Sequence, residues 1–415
     1  MLKKKLRILL VWTLVSLLLQ FGGYSLLNNQ VQKVMNPVAS EPITLQLKAT
    51  IPGSDLNNIQ ISYAKDYLAY SENGTLKVFN LPKGKVVFEK KSPSTTDKTL
   101  GVLTYQWLPD RNILLYFYAE KNPNEVTTVK VYPPKTKIST PLVSPQAEDP
   151  NHAKIVPKEV PVEPTIEKRY GNPQITELYS LELGNSEEDT APNDLLNTFD
   201  PTSGNEKISA GGTIDQFVVS ATTNLMYLNV KNESTHSLME IDVMKEVTTV
   251  HKLGGELIDY IATSDRFGTL YFDSQVGNSH QVIAIEGSNR KIISDNVNDR
   301  ILGIREGKVY IGQVENNQLV KIKTTPDLVE MTNNPSLKTE WEGSIPFNND
   351  MRWIIGAKGQ MIIYNHKTAN IVTDGNLVEA KLSGDENYVS VDGAELIQLT
   401  KQGTSTLVEL QPLKP

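Results

Sequence analysis

The chain has 415 residues, 39% of them apolar, a net charge of −7 and no cysteine. That composition suits a globular protein with a large core, and it excludes disulfides, thiolate zinc sites, iron–sulfur clusters and thiol catalysis. Residues 1–35 carry Lys3, Lys4, Lys5, Arg7 and Lys33 and no acid, so the total of −7 leaves −12 for the remainder. An acidic body gains nothing from counterion release at phosphates, which speaks against a nucleic-acid partner.

Residues 1–7 read as a basic cytoplasmic tail, and residues 8–27 form an uncharged apolar stretch with Gln20 as its only strongly polar member. Twenty helical residues span about 30 Å, the thickness of a bilayer core, so this stretch predicts a single-pass signal anchor. The positive flank keeps the N-terminus in the cytoplasm and places the bulk of the chain extracytoplasmically at the cell membrane. The competing reading is a cleaved signal peptide; Val38-Ala39-Ser40 is the nearest small-residue site and lies far downstream. Residues 28–42, broken by Pro37 and Pro42, read as a juxtamembrane linker.

From residue 43 to 415, short alternating apolar runs recur with turn residues between them. The first unit runs through Ile59–Tyr63, Tyr67–Tyr70, Leu76–Phe79 and Val86–Phe88, with Asn73-Gly74 and Lys83-Gly84 as turns. Such period-two runs joined by tight turns predict a hairpin meander. A second unit has Leu103–Trp107, Ile113–Tyr116 and Thr128–Tyr132. A third has Phe217–Ser220, Leu225–Leu228, Leu238–Asp242 and Val247–Val250. A fourth has Ile258–Ile261, Thr269–Phe272, Gln281–Ile285 and Lys291–Ile293. Further pairs follow at Ile301–Ile304 with Lys308–Ile311 and at Trp353–Ile355 with Met361–Tyr364. The last unit holds Val378–Leu382, Tyr388–Val391, Leu396–Leu399 and Leu407–Leu410. Four-strand units repeating near 40 residues predict an all-β fold, a β-propeller of about seven four-stranded blades. Thr44–Ile51 is the candidate N-terminal strand that completes the last blade.

Several units share a turn word: Ser62-Tyr63-Ala64-Lys65-Asp66-Tyr67-Leu68, Trp107-Leu108-Pro109-Asp110-Arg111-Asn112-Ile113-Leu114, Ser264-Asp265-Arg266-Phe267-Gly268-Thr269-Leu270 and Ser383-Gly384-Asp385-Glu386-Asn387-Tyr388. The word resembles that of TolB-like and dipeptidyl-peptidase-type, WD-like propellers. The resemblance implies a fold and brings no activity, since the chain has no Gly-x-Ser-x-Gly and no room for a hydrolase domain. Trp107, Tyr116, Tyr227 and Tyr271 are expected to pack between blades, and the turn aspartates to bond their own backbone.

Two insertions stand out. Nine prolines between residues 133 and 173 predict an extended arm that interrupts the second blade, without a hydrogen-bonded ladder. Residues 184–212, with Glu187-Glu188-Asp189, predict an acidic loop. Both are tolerated surface excursions or docking arms for a partner.

Chemistry is scarce. His152, His236, His251, His280 and His366 lack metal-ligand spacing, and no phosphate-binding or dinucleotide glycine pattern occurs. Asn296–Asp299 lacks the spacing of a calcium loop, and Thr263–Thr269 departs from the aspartate box of sialidases. No catalytic, cofactor or metal residues emerge and no cofactor is implied. The sequence favours a non-catalytic scaffold or sensor that binds an envelope protein or a surface polymer. The alternative is a polysaccharide hydrolase or lyase using carboxylates from different blades. Oligomeric state and partner identity are not encoded in any motif.

Overall fold

The computed structural model describes residues 47–123, 126–131, 165–170, 174–184, 192–199, 213–232, 235–328 and 332–413, with helical residues 13, 16, 17, 19–25 and 27 ahead of them. Seven four-stranded antiparallel sheets follow one another around a ring, giving a seven-bladed β-propeller. Blade I comprises Asn57–Ile61, Tyr67–Glu72, Thr75–Asn80 and Lys85–Lys90. Blade II comprises Gly101–Trp107, Ile113–Lys121, Gln174–Glu182 and Asn193–Phe199. Blade III comprises Thr213–Ser220, Leu225–Asn232, Thr235–Ile241 and Val247–Thr249. Blade IV comprises Leu257–Thr263, Leu270–Val276, Ser279–Glu286 and Asn289–Ser294. Blade V comprises Asp299–Arg305, Lys308–Glu315, Gln318–Pro326 and Lys338–Pro346. Blade VI comprises Arg352–Ile355, Met361–Tyr364, Thr368–Thr373 and Asn376–Lys381. Blade VII comprises Glu386–Val389, Glu395–Gln402 and Ser405–Pro412, with Leu47–Pro52 as its outer strand.

Leu47–Pro52 pairs antiparallel with Ser405–Pro412, in register from Leu47↔Leu410 to Pro52↔Ser405. The N-terminal strand therefore closes the ring, as the alternation at Thr44–Ile51 predicts, and covers an edge that would otherwise face solvent. Hairpin chemistry follows the sequence. Asn73 and Gly74 take φ of 50° and 74°, the left-handed pair that a two-residue type I′ turn requires.

The core is not one mass but seven. Among the described residues, seven buried clusters form, each filling one seam between neighbouring blades. The four aromatics expected between blades are there: Trp107, Tyr116, Tyr227 and Tyr271 are all buried. Tyrosine hydroxyls extend the seams by donating to the next blade, Tyr227 to Gly268 O at 2.6 Å and Tyr271 to Asp327 Oδ1 at 2.7 Å.

Several sequence expectations need correction. The run Thr128–Tyr132 is expected in the second blade, but the strand there, Val126–Val131, pairs with Thr165–Tyr170 in a separate two-stranded ribbon. One strand of that ladder, Thr165–Tyr170, lies inside the 133–173 arm, where the prolines argue against one. Between Pro164 and Pro173 no proline occurs, so six residues are free to donate. The second strand of blade II skips the arm and pairs directly with Gln174–Glu182. The acidic loop 184–212 contains the outer strand Asn193–Phe199, whose mostly exposed residues leave little alternation to detect. Val378–Leu382 contributes to the outer strand of blade VI rather than to the last blade, and Ser383–Asp385 connects the two blades instead of turning within one. The strands Gln318–Pro326, Lys338–Pro346 and Thr368–Thr373 escape the sequence reading altogether.

Of the anticipated anchor, residues 8–27, only part is described, and no helix among the described residues is long and apolar enough to cross a membrane. The described part is helical, with Leu17, Leu19, Phe21, Tyr24 and Leu27 all exposed. Residues 1–7 and the linker 28–42 lie outside the described residues.

Candidate functional site

Antiparallel meanders sort every connection to one of two faces. Links between blades, and turns between second and third strands, lie on one face, called upper here; turns between first and second and between third and fourth strands lie on the lower face. The chain enters blade VII at Leu47, and because Leu47–Pro52 runs from lower to upper, entry is on the lower face. The ribbon, inserted between the second and third strands of blade II, lies on the upper face.

Inner strands line the channel, and five of them are irregular near their upper ends. Register shifts fall between Asn57 and Gln60, Val102 and Thr104, Ile214 and Gln216, Ile258 and Ile261, and Ile301 and Gly303. Bulges re-aim side chains. Here they free residues to bridge one inner strand to the next. Gln60 donates to Tyr105 O at 2.9 Å, and Gln216 repeats the arrangement, donating to Asp259 O at 2.7 Å and accepting from Ile261 N at 2.7 Å.

An aromatic group stands at the upper mouth. Tyr260 of blade IV and Trp353 of blade VI have ring centroids 5.1 Å apart, although blade V separates their blades. The contact therefore runs along the channel wall across the inner strand of blade V. Gly303 on that strand, at φ 146°, keeps the wall low, since an added Cβ would meet Ile355 Cδ1 at 3.0 Å. Trp353 Nε1 donates to Leu302 O at 3.0 Å, and Phe347 packs on Trp353 at 4.9 Å. Beside them the exposed Arg352 guanidinium lies 4.2 Å over the Tyr388 ring, whose hydroxyl donates to Glu386 Oε2 at 3.0 Å. Burial pushes the Tyr388 hydroxyl up to about 12 against the opposing charge of Arg352. Tyr260 is likewise raised to about 12, first by burial and then by Asp273.

A polar cluster closes the top of the seam between blades IV and V. Burial raises the Asp273 carboxyl well above the usual carboxylate range, although it accepts Ile301 N at 2.8 Å and faces Arg300. His280 is pulled down to about 4, first by burial and then by the charge of Arg300, whose Nη1 lies 3.0 Å from His280 Nδ1. The neutral ring thus accepts at Nδ1 and carries its proton on Nε2, a buried atom with no hydrogen-bond partner among the described residues. Asp299 is engaged by Lys323 at 2.7 Å through both oxygens and by Ser294 Oγ at 2.7 Å. Asn296–Asp299 is accordingly a turn whose carboxylate is neutralised by a lysine. Among the described residues no three His, Asp or Glu side chains gather into a metal site.

The upper rim of blade IV also exposes four apolar side chains. Leu253, Leu257, Val276 and Val297 are 44%, 43%, 37% and 53% exposed. Leu257 lies opposite Gln275, and Arg300 Nη1 donates to Val297 O at 2.8 Å, which links Val297 to the His280 cluster. Asp215 and Asp259, both exposed, sit on the adjoining inner strands.

On the lower face serines bond the turn backbone where the sequence suggests aspartates. Ser264 Oγ accepts Phe267 N at 3.0 Å and Ser390 Oγ accepts Glu395 N at 2.9 Å, whereas Asp110 pairs with Arg111. None of the mouth residues was singled out from the sequence.

No family model and no curated protein matches the chain. Among solved structures it is similar to virginiamycin B lyase from Staphylococcus aureus at 10% identity, covering 89% of this chain and 100% of that one with a TM-score of 0.48. It is similar to the Cps50 (Swd1) β-propeller domain of Myceliophteria thermophila at 10% identity, covering 88% and 99% with a TM-score of 0.47. The Dos1 propeller matches at 10% identity, covering 86% and 78% with a TM-score of 0.45. At these identities the likeness concerns the β-propeller fold alone.

Proposed function

We propose that the protein is a non-catalytic interaction scaffold or sensor of the cell envelope, anchored through residues 8–27 and presenting the upper face of its propeller to a partner protein. The observation that carries this reading is the division of the two faces. The chain leaves toward its apolar N-terminal helix from the lower face, while the ribbon, the aromatic mouth and the exposed Leu253, Leu257, Val276 and Val297 occupy the upper one. Several exposed apolar side chains gathered on one rim of a rigid scaffold suit a protein-binding site.

The buried carboxyl groups beside the mouth are committed to structure, which leaves the exposed Asp215 and Asp259 as the acids a hydrolytic reading would have to use. Asp273 holds Ile301 N, and Asp299 is paired with Lys323 and Ser294. A hydrolytic pair would need two carboxyl groups free to face substrate.

The test is site-specific photocrosslinking in cells. A photoreactive residue at Leu257 or Val297 is expected to give discrete protein adducts, while one at the exposed lower-face residue Asn224 gives none. Adducts from Asn224 alone, or polysaccharide adducts from the upper positions, would contradict the scaffold reading.

A further inference from the structure

Among the described lower-face turns the greatest apolar exposure is in blade III, ahead of Leu328 in blade V at 50% and Val391 in blade VII at 37%. Val243 and Met244, at the tip of the turn between the third and fourth strands of blade III, are 63% and 75% exposed. Other tight turns place Asn, Asp or Gly at their tips, as Glu306-Gly307 and Asp374-Gly375 do. The apolar tip is also held firmly outward. Asp242 N donates to Glu246 O at 3.1 Å, Glu246 N to Asp242 Oδ1 at 2.8 Å, and Lys245 takes a left-handed φ of 66°. Asn197 Nδ2 donates to Lys245 O at 2.7 Å, which ties the turn to the outer strand of blade II and brings Leu195, 49% exposed, onto the same side.

We infer that Leu195, Val243 and Met244 form a foot that inserts into the interfacial layer of the lipid bilayer beneath the propeller. The inference rests on reading residues 8–27 as a membrane anchor. Residues 28–46, nineteen in number, can reach up to about 65 Å when extended. Such a tether holds the propeller near the membrane without orienting it. Blade III lies three blades from blade VII in one direction and four in the other, so the foot and the chain entry at Leu47 stand on opposite sides of the lower face. A foot so placed, with the tether keeping the propeller close, turns the lower face toward the bilayer and the upper face outward.

Three side chains are far too few for a stable protein interface, which buries some 800 Å² on each partner. They suffice for a lipid surface, because the tether already supplies a high local concentration and each apolar side chain then adds its transfer into the interface. Lys245, next to the tip, can keep its ammonium at the headgroups while its stem follows the apolar pair.

The absence of native cysteine makes the test direct. Full-length chains carrying Met244→Cys or, on the upper face, Asn278→Cys are labelled with an environment-sensitive fluorophore and reconstituted into phosphatidylglycerol–phosphatidylcholine vesicles containing spin-labelled lipid. Quenching at position 244 is expected to exceed that at 278 several-fold, and to fall toward the level at 278 when Val243→Ser is added and the foot weakened. A chain that floats with the vesicles but shows equal quenching at both positions overturns the foot and leaves the anchor standing. A chain that does not float overturns the anchor, and the foot with it.

Discussion

Deleting residues 1–52, and with them the closing strand, is expected to abolish cooperative unfolding and to cause aggregation, a far larger effect than removing the N-terminal segment only to residue 46. Leu47–Pro52 is a short, marginal strand by itself, yet it covers the edge of the strand Ser405–Pro412 from Ser405 to Leu410. Uncovering that edge leaves a row of unpaired backbone groups ready to pair with another chain. The strand also delivers Ile51, fully buried, into the cluster that joins blades VII and I with Ile59, Ile61, Leu68, Ile397 and Val408. Ile51→Ala alone should destabilise by about 3 kcal/mol, in the usual range for opening a cavity in a tight core. Thr50→Ala, on the exposed side of the same strand, should change stability by no more than about 0.5 kcal/mol. Urea unfolding followed by tryptophan fluorescence distinguishes the two.

Lys65→Met is expected to destabilise by about 3–5 kcal/mol despite preserving the apolar stem, because it strands two acids in the same seam. Lys65 Nζ lies 2.6 Å from Asp392 Oδ2 and 2.6 Å from Glu395 Oε2, with Lys65 and Glu395 only 7% and 0% exposed. Ser390 Oγ, 2.6 Å from Asp392 Oδ1 and 2.9 Å from Glu395 Oε2, completes the cluster. These contacts join the first and last blades, so the ring is sealed by ions on its lower side as well as by the N-terminal strand. Burial alone would raise the Asp392 carboxyl, but the Lys65 charge and hydrogen bonds from Lys65, Ser390 and Ala394 N outweigh it and hold the group below its ordinary value. A carboxyl depressed in the folded state stabilises above its unfolded value near 3.9 and loses that contribution as pH falls through the folded value. Wild-type stability should therefore decline on acidification below about pH 4, while Lys65→Met, with its acids more readily protonated, should be least impaired there. Adding Asp392→Asn and Glu395→Gln to Lys65→Met should recover most of the loss at neutral pH. Failure of that rescue would mean that the lysine acts through packing rather than charge.

The repeat was legible because short apolar runs recur at regular spacing with turn residues such as Asn73-Gly74 and Lys83-Gly84 between them. The closing strand was legible for the same reason. Outer strands were harder. Asn193–Phe199 and Lys338–Pro346 bury few of their residues, so charges and asparagines occupy positions that alternation would otherwise mark. The ribbon strand Thr165–Tyr170 was hidden by the prolines that surround it. Of the mouth, almost nothing could be read. Tyr260 and Trp353 each sit in an ordinary strand, and only ring closure brings them together across Gly303. His280 and Lys65 were equally silent, since their partners Arg300, Asp392 and Glu395 come from other blades.

Orientation across the membrane is the claim on which the rest depends, and one labelling experiment addresses it. Single cysteines are placed at Lys4 in the N-terminal tail and at Asn278 on the upper face, and intact cells are treated with a membrane-impermeant maleimide. The predicted result is labelling at 278 in intact cells and at 4 only after the membrane is opened. Labelling at 278 only after lysis, or recovery of the propeller in the soluble fraction without its first forty residues, would contradict a tethered scaffold facing outward.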